Sequence, residues 1–209
     1  MPRSRRRAAF VGEGSALLRV GVAGGLRPPL PNSMHHQLPD YLRPGLMVVF
    51  VGFNPSKRAA EIGHYYAGKG NQFWNFLFES GLTRVRLGPE EDHRVLEFDI
   101  GLTDVVKRWS RSANGLRQRE YELESPKLEE KIEQCSPWVV AFNGKGAYEG
   151  FRGRGAERGW QKEKIAGSRV FVLPATSGAD TSMTRVEKLR YFRRLARWLK
   201  AQNEDDDAR

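Results

Sequence analysis

Three short apolar runs constrain the fold of this chain more than any other feature. They are Leu46-Met47-Val48-Val49-Phe50-Val51, Trp138-Val139-Val140-Ala141-Phe142 and Val170-Phe171-Val172-Leu173. A strand with one wet face alternates apolar and polar residues, whereas an unbroken apolar run of this length suits a strand buried on both faces. Ile100-Gly101-Leu102 is a weaker fourth candidate. Helical patterns fall between and after these runs. One is predicted over 71–79, with Phe73, Trp74, Leu77 and Phe78 on its apolar side, and others over about 125–134, 145–151 and 184–200. In the last, Leu189, Phe192, Leu195 and Leu199 recur at helical spacing and read as core, while its arginines and lysines read as a solvent-exposed face. Buried strands alternating with helices imply an α/β fold with a mostly parallel sheet covered on both sides. In such sheets functional groups gather at the carboxyl ends of the strands, so those ends are where chemistry is expected.

The 209 residues suffice for one domain with flanks. Residues 1–45 are rich in Arg, Gly and Pro, and Arg27-Pro28-Pro29-Leu30-Pro31 excludes a helix there. This stretch reads as a basic, flexible arm that holds DNA loosely; an inert extension and an organelle transit peptide are the alternatives. A globular domain is expected over 46–201, and an acidic tail over 202–209, with Glu204, Asp205, Asp206 and Asp207. Lys and Arg number 35 against 25 Asp and Glu, a net charge of +10, which favours a polyanion such as DNA or RNA as partner. Through Leu46, seven arginines (3, 5, 6, 7, 19, 27 and 43) face only Glu13 and Asp40, so half of the net charge lies there. No stretch approaches the roughly 20 apolar residues of a membrane span, so no membrane association is expected. A lone cysteine, Cys135, excludes an internal disulfide and a multi-cysteine metal site. The histidines are His35, His36, His64 and His93, and none has HExxH spacing. Neither a metal nor a cofactor is therefore expected.

Three strand ends carry candidate chemistry. The first run is followed by Gly52-Phe53-Asn54-Pro55-Ser56, a tight turn with Asn54 at its tip. Next comes Gly63-His64-Tyr65-Tyr66-Ala67-Gly68-Lys69-Gly70-Asn71-Gln72-Phe73-Trp74. Its glycine-flanked tyrosines suit stacking on a base, although packing would also explain them, and Asn71 suits a helix N-cap. The last run ends in Leu173-Pro174-Ala175-Thr176-Ser177-Gly178-Ala179, small and tight-turning, able to bring backbone N–H groups near a phosphate. Asn143-Gly144-Lys145-Gly146 lacks the Walker pattern and reads mainly as a strand-to-helix turn.

Each signal is weak alone, but their order is informative. Together with Gly101-Leu102-Thr103-Asp104 and the stretch from Ala141 to Phe151, these motifs closely resemble the mismatch-specific uracil-DNA and thymine-DNA glycosylases. The resemblance runs from about Val48 to Leu199. It implies a three-layer α/β/α sandwich with a short, mostly parallel sheet. It also implies a monofunctional, metal-independent enzyme that flips uracil, thymine or a modified pyrimidine out of DNA and hydrolyses the N-glycosidic bond. By the same resemblance Asn54 positions the attacking water, Tyr66 stacks on the flipped base with Tyr65 in the same loop, and Asn71 lies beside the pocket. Backbone N–H groups near Phe53, in the turn opened by Gly52, and near Tyr66 would face the leaving base. Ser177, Gly178, Ala179, Met183 and Arg185 would enter or approach the DNA. The implied partner is double-stranded DNA carrying uracil or a mismatch, with single-stranded DNA as a further substrate. The implied state is a monomer in the cytoplasm, at the nucleoid when DNA-bound, or in the nucleus of a eukaryote.

Three positions depart from the family pattern. Asp104 stands where better-known relatives carry lysine or asparagine. It could act as a general base beside Asn54, accept the N3–H of uracil or thymine, or be a surface carboxylate paired with Lys107 or Arg108. Ala179 stands where a bulky wedge is usual, which favours broad uracil excision over strict mismatch specificity. Ser56 replaces a customary glycine. Two rival readings are a non-catalytic nucleic-acid-binding module, which would spare the lesion, and a small-molecule α/β enzyme, for which a GxGxxG, a Walker loop or an acidic metal cluster would be expected.

Overall fold

The computed structural model describes residues 37–110, 116, 118–153 and 155–207, all within one compact unit, Met34–Arg209. The basic segment before residue 37, including His35 and His36, lies outside the described residues. The elements are β1 (Val48–Gly52), α1 (Lys57–Ile62), α2 (Phe73–Glu79), a 3-10 segment over Pro89–Phe98, β2 (Ile100–Asp104), α3 (Gln118–Cys135), β3 (Val139–Asn143), α4 (Lys145–Arg152), β4 (Gly159–Ile165), β5 (Ser168–Leu173) and α5 (Arg185–Asp207). They build a single five-stranded sheet in the order β2-β1-β3-β5-β4, parallel except for the edge strand β4, which runs antiparallel to β5.

The apolar runs form central strands for the reason their composition gave. Val48 and Phe50 of β1 face one layer with Phe73, Phe76, Phe192 and Leu195 from α2 and α5. Val49 and Val51 face the other with Tyr121, Ile132, Tyr148 and Phe151 from α3 and α4. Alternate residues thus point to opposite layers, both dry, and the result is the expected α/β/α sandwich. Burying one such side chain stabilises the fold by about 1.5–3 kcal/mol, so the two faces of β1 alone bind the layers firmly together.

Several boundaries differ from the sequence reading. The packed body begins before residue 46: Leu38 is buried, and Tyr41 pairs backbone-to-backbone with Leu102 at the free edge of β2. That bridge satisfies edge N–H and C=O groups that would otherwise lie open. Residues 202–207 are not a separate tail; they continue α5. α3 starts at Gln118 rather than near 125, although Pro126 would sit best at a first turn. Burial of Tyr121 against Phe53, with rings 5.5 Å apart, holds the extra turns in place. Neither α1 nor β4 carries an apolar run, and both were missed.

Candidate active site

The carboxyl ends of β1, β2, β3 and β5 enclose a pocket of about 400 Å³. It is lined by Gly52, Phe53, Asn54, Tyr65, Tyr66, Asn71, Asp104, Ser177 and Gly178, all singled out from the sequence. Ala179, Met183 and Arg185 do not line it. Arg185 is held against α2, where it pairs with Glu79, donates to Gln72 Oε1 and lies over the Phe76 ring.

Asn54 sits on the loop between β1 and α1. Its Nδ2 donates to the Arg108 carbonyl and to Ser110 Oγ, both at 2.9 Å. A carbonyl can only accept, so this pairing fixes which end of the amide is nitrogen. Oδ1 carries no protein hydrogen bond among the described residues and is the end offered to a solvent molecule. Ser56 has φ −69°, needing no glycine, and its Oγ accepts the Ala59 N–H to cap α1. The departure at this position is thus a helix cap.

Asp104 ends β2 and is 4% exposed. Its register partner is Gly52, and a Cβ at Gly52 would lie 2.1 Å from Asp104 Oδ1. The missing side chain is therefore what lets the carboxylate enter the pocket floor. Asp104 Oδ2 is buried without a hydrogen-bond partner. Burial pushes the carboxyl up to about 7, against the pull of the Lys107 ammonium. The surface-pair reading fails: Lys107 Nζ is engaged with Asp40 Oδ1 at 2.6 Å and Tyr65 Oη at 3.0 Å, and Arg108 with Glu120. Asp40, held also by Lys131 and Thr103, stays below the ordinary carboxylate range although burial works in the opposite direction.

The two tyrosines divide their tasks. Tyr65 is 1% exposed and locked: its N–H donates to Asp92 Oδ2 at 2.9 Å, its carbonyl accepts from Trp74 Nε1, and Lys107 holds its hydroxyl. Tyr66 follows in a left-handed conformation, φ 54°, which a bulky residue adopts only when its surroundings impose it. One ring face stacks on Phe73, with centroids 3.7 Å apart. The Tyr66 hydroxyl lies close to the Asn143 amide but forms no hydrogen bond of normal geometry. Burial and the neighbouring Asp104 charge push this phenol well above its usual range. Two orphaned polar atoms, Tyr66 Oη and Asp104 Oδ2, thus share the pocket floor. A buried polar atom left unpaired costs about 1–3 kcal/mol, and such atoms in a pocket await a ligand's donors and acceptors.

Asn71 lines the pocket as expected but is not the N-cap of α2, a position held by Gln72. From one residue further out, its Oδ1 accepts the Phe73 N–H at 3.0 Å in a local turn that leads into the helix.

Four supporting residues were not given their roles by the sequence reading. Asp92 is fully buried and accepts from Tyr41 Oη, His64 Nδ1 and the Tyr65 N–H, which makes it the anchor of the tyrosine loop. It stands in Pro89-Glu90-Glu91-Asp92-His93-Arg94, which reads as a solvated charge run and gives no hint of burial. Asn143 clamps the loop after β5 in both directions, with Oδ1 accepting the Thr176 N–H and Nδ2 donating to Thr176 Oγ1. Lys188, read as part of an exposed face, is 5% exposed. It grips the carbonyls of Ala175 and Asp180 and the Asp180 carboxylate. The Asp180 carboxylate on this loop is therefore paired with a buried ammonium. Ser110, finally, orients Asn54.

The solution NMR structure of a proposed uracil DNA glycosylase from Methanosarcina acetivorans is similar over 77% of this chain and 98% of its own, at 24% identity and a TM-score of 0.54. At that identity the likeness is one of fold. The sequence profile of the uracil DNA glycosylase superfamily matches residues 39–200, beginning where the packed body begins and ending inside α5. The chain belongs to the uracil DNA glycosylase superfamily, a family of DNA glycosylases.

Proposed function

We propose that this chain is a monofunctional uracil-DNA glycosylase related to the mismatch-specific group but broader in substrate choice. It flips uracil, and more slowly thymine or modified pyrimidines opposite guanine, out of DNA and leaves an abasic site. The observation that carries this reading is the pocket floor, where an oriented amide, an unpartnered carboxylate oxygen and an unpartnered phenol converge. Tyr66 offers its second ring face to the extruded base. As the N-glycosidic bond lengthens, positive charge builds on the sugar and negative charge on the base. Asn54 Oδ1 accepts one hydrogen of a water and holds it in line with C1′. Asp104 takes the proton as the C–O bond forms, a task suited to a carboxyl poised near neutrality. Its charge also favours the oxocarbenium, and backbone N–H groups near Phe53 and Tyr66, donating to the base oxygens, offset its repulsion of the departing anion. The small Ala179 at the wedge position supports broad excision over strict mismatch reading.

The test is release of uracil from a duplex, revealed by alkaline cleavage of the abasic strand. U:G, U:A, single-stranded uracil and T:G substrates are run side by side. Uracil is expected to leave all three uracil substrates, with T:G slowest; excision confined to T:G and U:G contradicts the breadth proposed. Asn54→Ala and Asp104→Ala are each expected to lower the single-turnover rate by about 100-fold or more. If Asp104→Asn restores the rate, Asp104 reads the base rather than activating water. Wild-type rates in both Asp104 variants would remove it from the chemistry.

A further inference from the structure

Outside the pocket, the charge on α5 is distributed in a way the glycosylase chemistry does not use. Five arginines among the described residues are matched by carboxylates: Arg43 with Asp99, Arg94 with Glu91 and Glu97, Arg108 with Glu120, Arg152 with Glu129, and Arg185 with Glu79. Arg190, Arg193 and Arg197 are different. All three are exposed, and among the described residues none forms an ion pair. They line one shallow cleft together with Ser80, the residue that ends α2. Arg84 lies on the other side of Ser80, exposed and equally unmatched. Grouped like charges repel one another, and Glu187, one turn before Arg190, offsets only the first of them, so this patch destabilises the free protein slightly and is relieved by an anion.

The spacing says which kind of anion. Residues at i, i+3 and i+7 lie along one helix face, and at 1.5 Å per residue the three span about 10 Å. Phosphates on one DNA strand advance about 3.4 Å each along the axis, so the stripe matches roughly three successive phosphates rather than one isolated ion. Its position fits the same partner. α5 starts at the pocket rim, where Lys188 grips the loop after β5 and Arg185 reaches Gln72. The stripe begins five residues beyond Arg185 and leads away from the rim down the flank.

We infer that the Arg190–Arg193–Arg197 face of α5 is a second nucleic-acid site, a phosphodiester track that holds the DNA flanking the base in the pocket. It rests on the reading of the pocket as a DNA glycosylase site. The track acts on the backbone alone, so it adds affinity without sequence or lesion preference.

The test uses the full chain with Arg190, Arg193 and Arg197 all changed to Gln. A control variant, R119Q/K162Q/K164Q, removes the same charge from exposed positions elsewhere. Binding to an undamaged 40-base-pair duplex is measured across a salt series, and uracil release is measured with saturating enzyme. For the track variant the slope of log affinity against log salt is expected to fall by about 2 to 3, with about tenfold or greater loss of affinity at moderate salt. The control should keep the wild-type slope, and saturated single-turnover release should be the same in all three proteins. Equal slopes for the two variants, or a slowed release step in the track variant alone, overturn the proposal. If wild type releases no base yet the slopes differ as stated, the track stands as a DNA-binding site and the glycosylase reading falls alone.

Discussion

At the scale of single residues, the site is a set of polar atoms made available by what surrounds them. Asn54 was legible in the sequence because it stands at the tip of a buried strand, first in an ordered set of motifs. Asp104 was legible as a departure, but its burial was not, since Lys107 and Arg108 three and four residues on suggested a surface pair. Those cations are drawn away by Asp40 and Glu120, partners 67 and 12 residues distant that no local pattern reveals. A stability consequence follows from the raised carboxyl. Between about pH 4 and 7 the folded protein keeps a proton that the unfolded chain has lost, so stability falls as pH rises through that window and levels off above it. Asp104→Asn should match wild type near pH 4.5 and exceed it by a few kcal/mol, on the order of 2–4, at pH 8. Denaturant unfolding at both pH values measures this, and an equal difference at the two would contradict it. Wild-type single-turnover excision should run the other way, rising with pH to a plateau above about 7.

Among elements, the central strands were read correctly because burial on both faces leaves no room for a polar residue. Helices α2, α4 and α5 showed their apolar stripes. The rest depended on partners far along the chain. β4 pairs only at the sheet edge, and its middle residues are exposed, so it has no apolar run to betray it. Asp92 and Lys188 look like surface charges until the loops they anchor are in place. Lys188 is the sharper case, since one ammonium ties α5 to the loop that closes the pocket. Lys188→Met keeps the bulk and strips the loop of its donor, leaving the Asp180 carboxylate unmatched. We expect a loss of about 1–3 kcal/mol of stability. KM for duplex DNA should rise several-fold while the saturated rate changes little. A fall in the saturated rate with KM unchanged would assign Lys188 to the chemistry instead.

For the molecule as a whole, the fold class followed from the alternation of apolar runs with helical spacing, whereas the extent of the body did not. The segment from Leu38 to Tyr41 is folded against β2 although it lies in a stretch that looks like a linker, because one edge strand needed a partner. The excess of positive charge is the other property of the whole chain. Residues 1–36 carry Arg3, Arg5, Arg6, Arg7, Arg19 and Arg27 against Glu13, a net of +5 out of +10. We propose that this segment adds non-specific DNA affinity. Changing Arg3, Arg5, Arg6 and Arg7 together to Gln should lower the salt slope of binding to undamaged duplex by up to about 4. Release of uracil by saturating enzyme should be unaffected. An unchanged slope would leave the segment without a role in binding.

Gly52 and Asp104 are register neighbours on adjacent strands, and the carboxylate occupies the space that a side chain at 52 would fill. The two positions are consequently one unit of change. A lineage or a designer that places alanine at 52 must shorten or remove the group at 104 in the same step, since either intermediate is overpacked or hollow. A carboxylate at 104 thus depends on a glycine at 52.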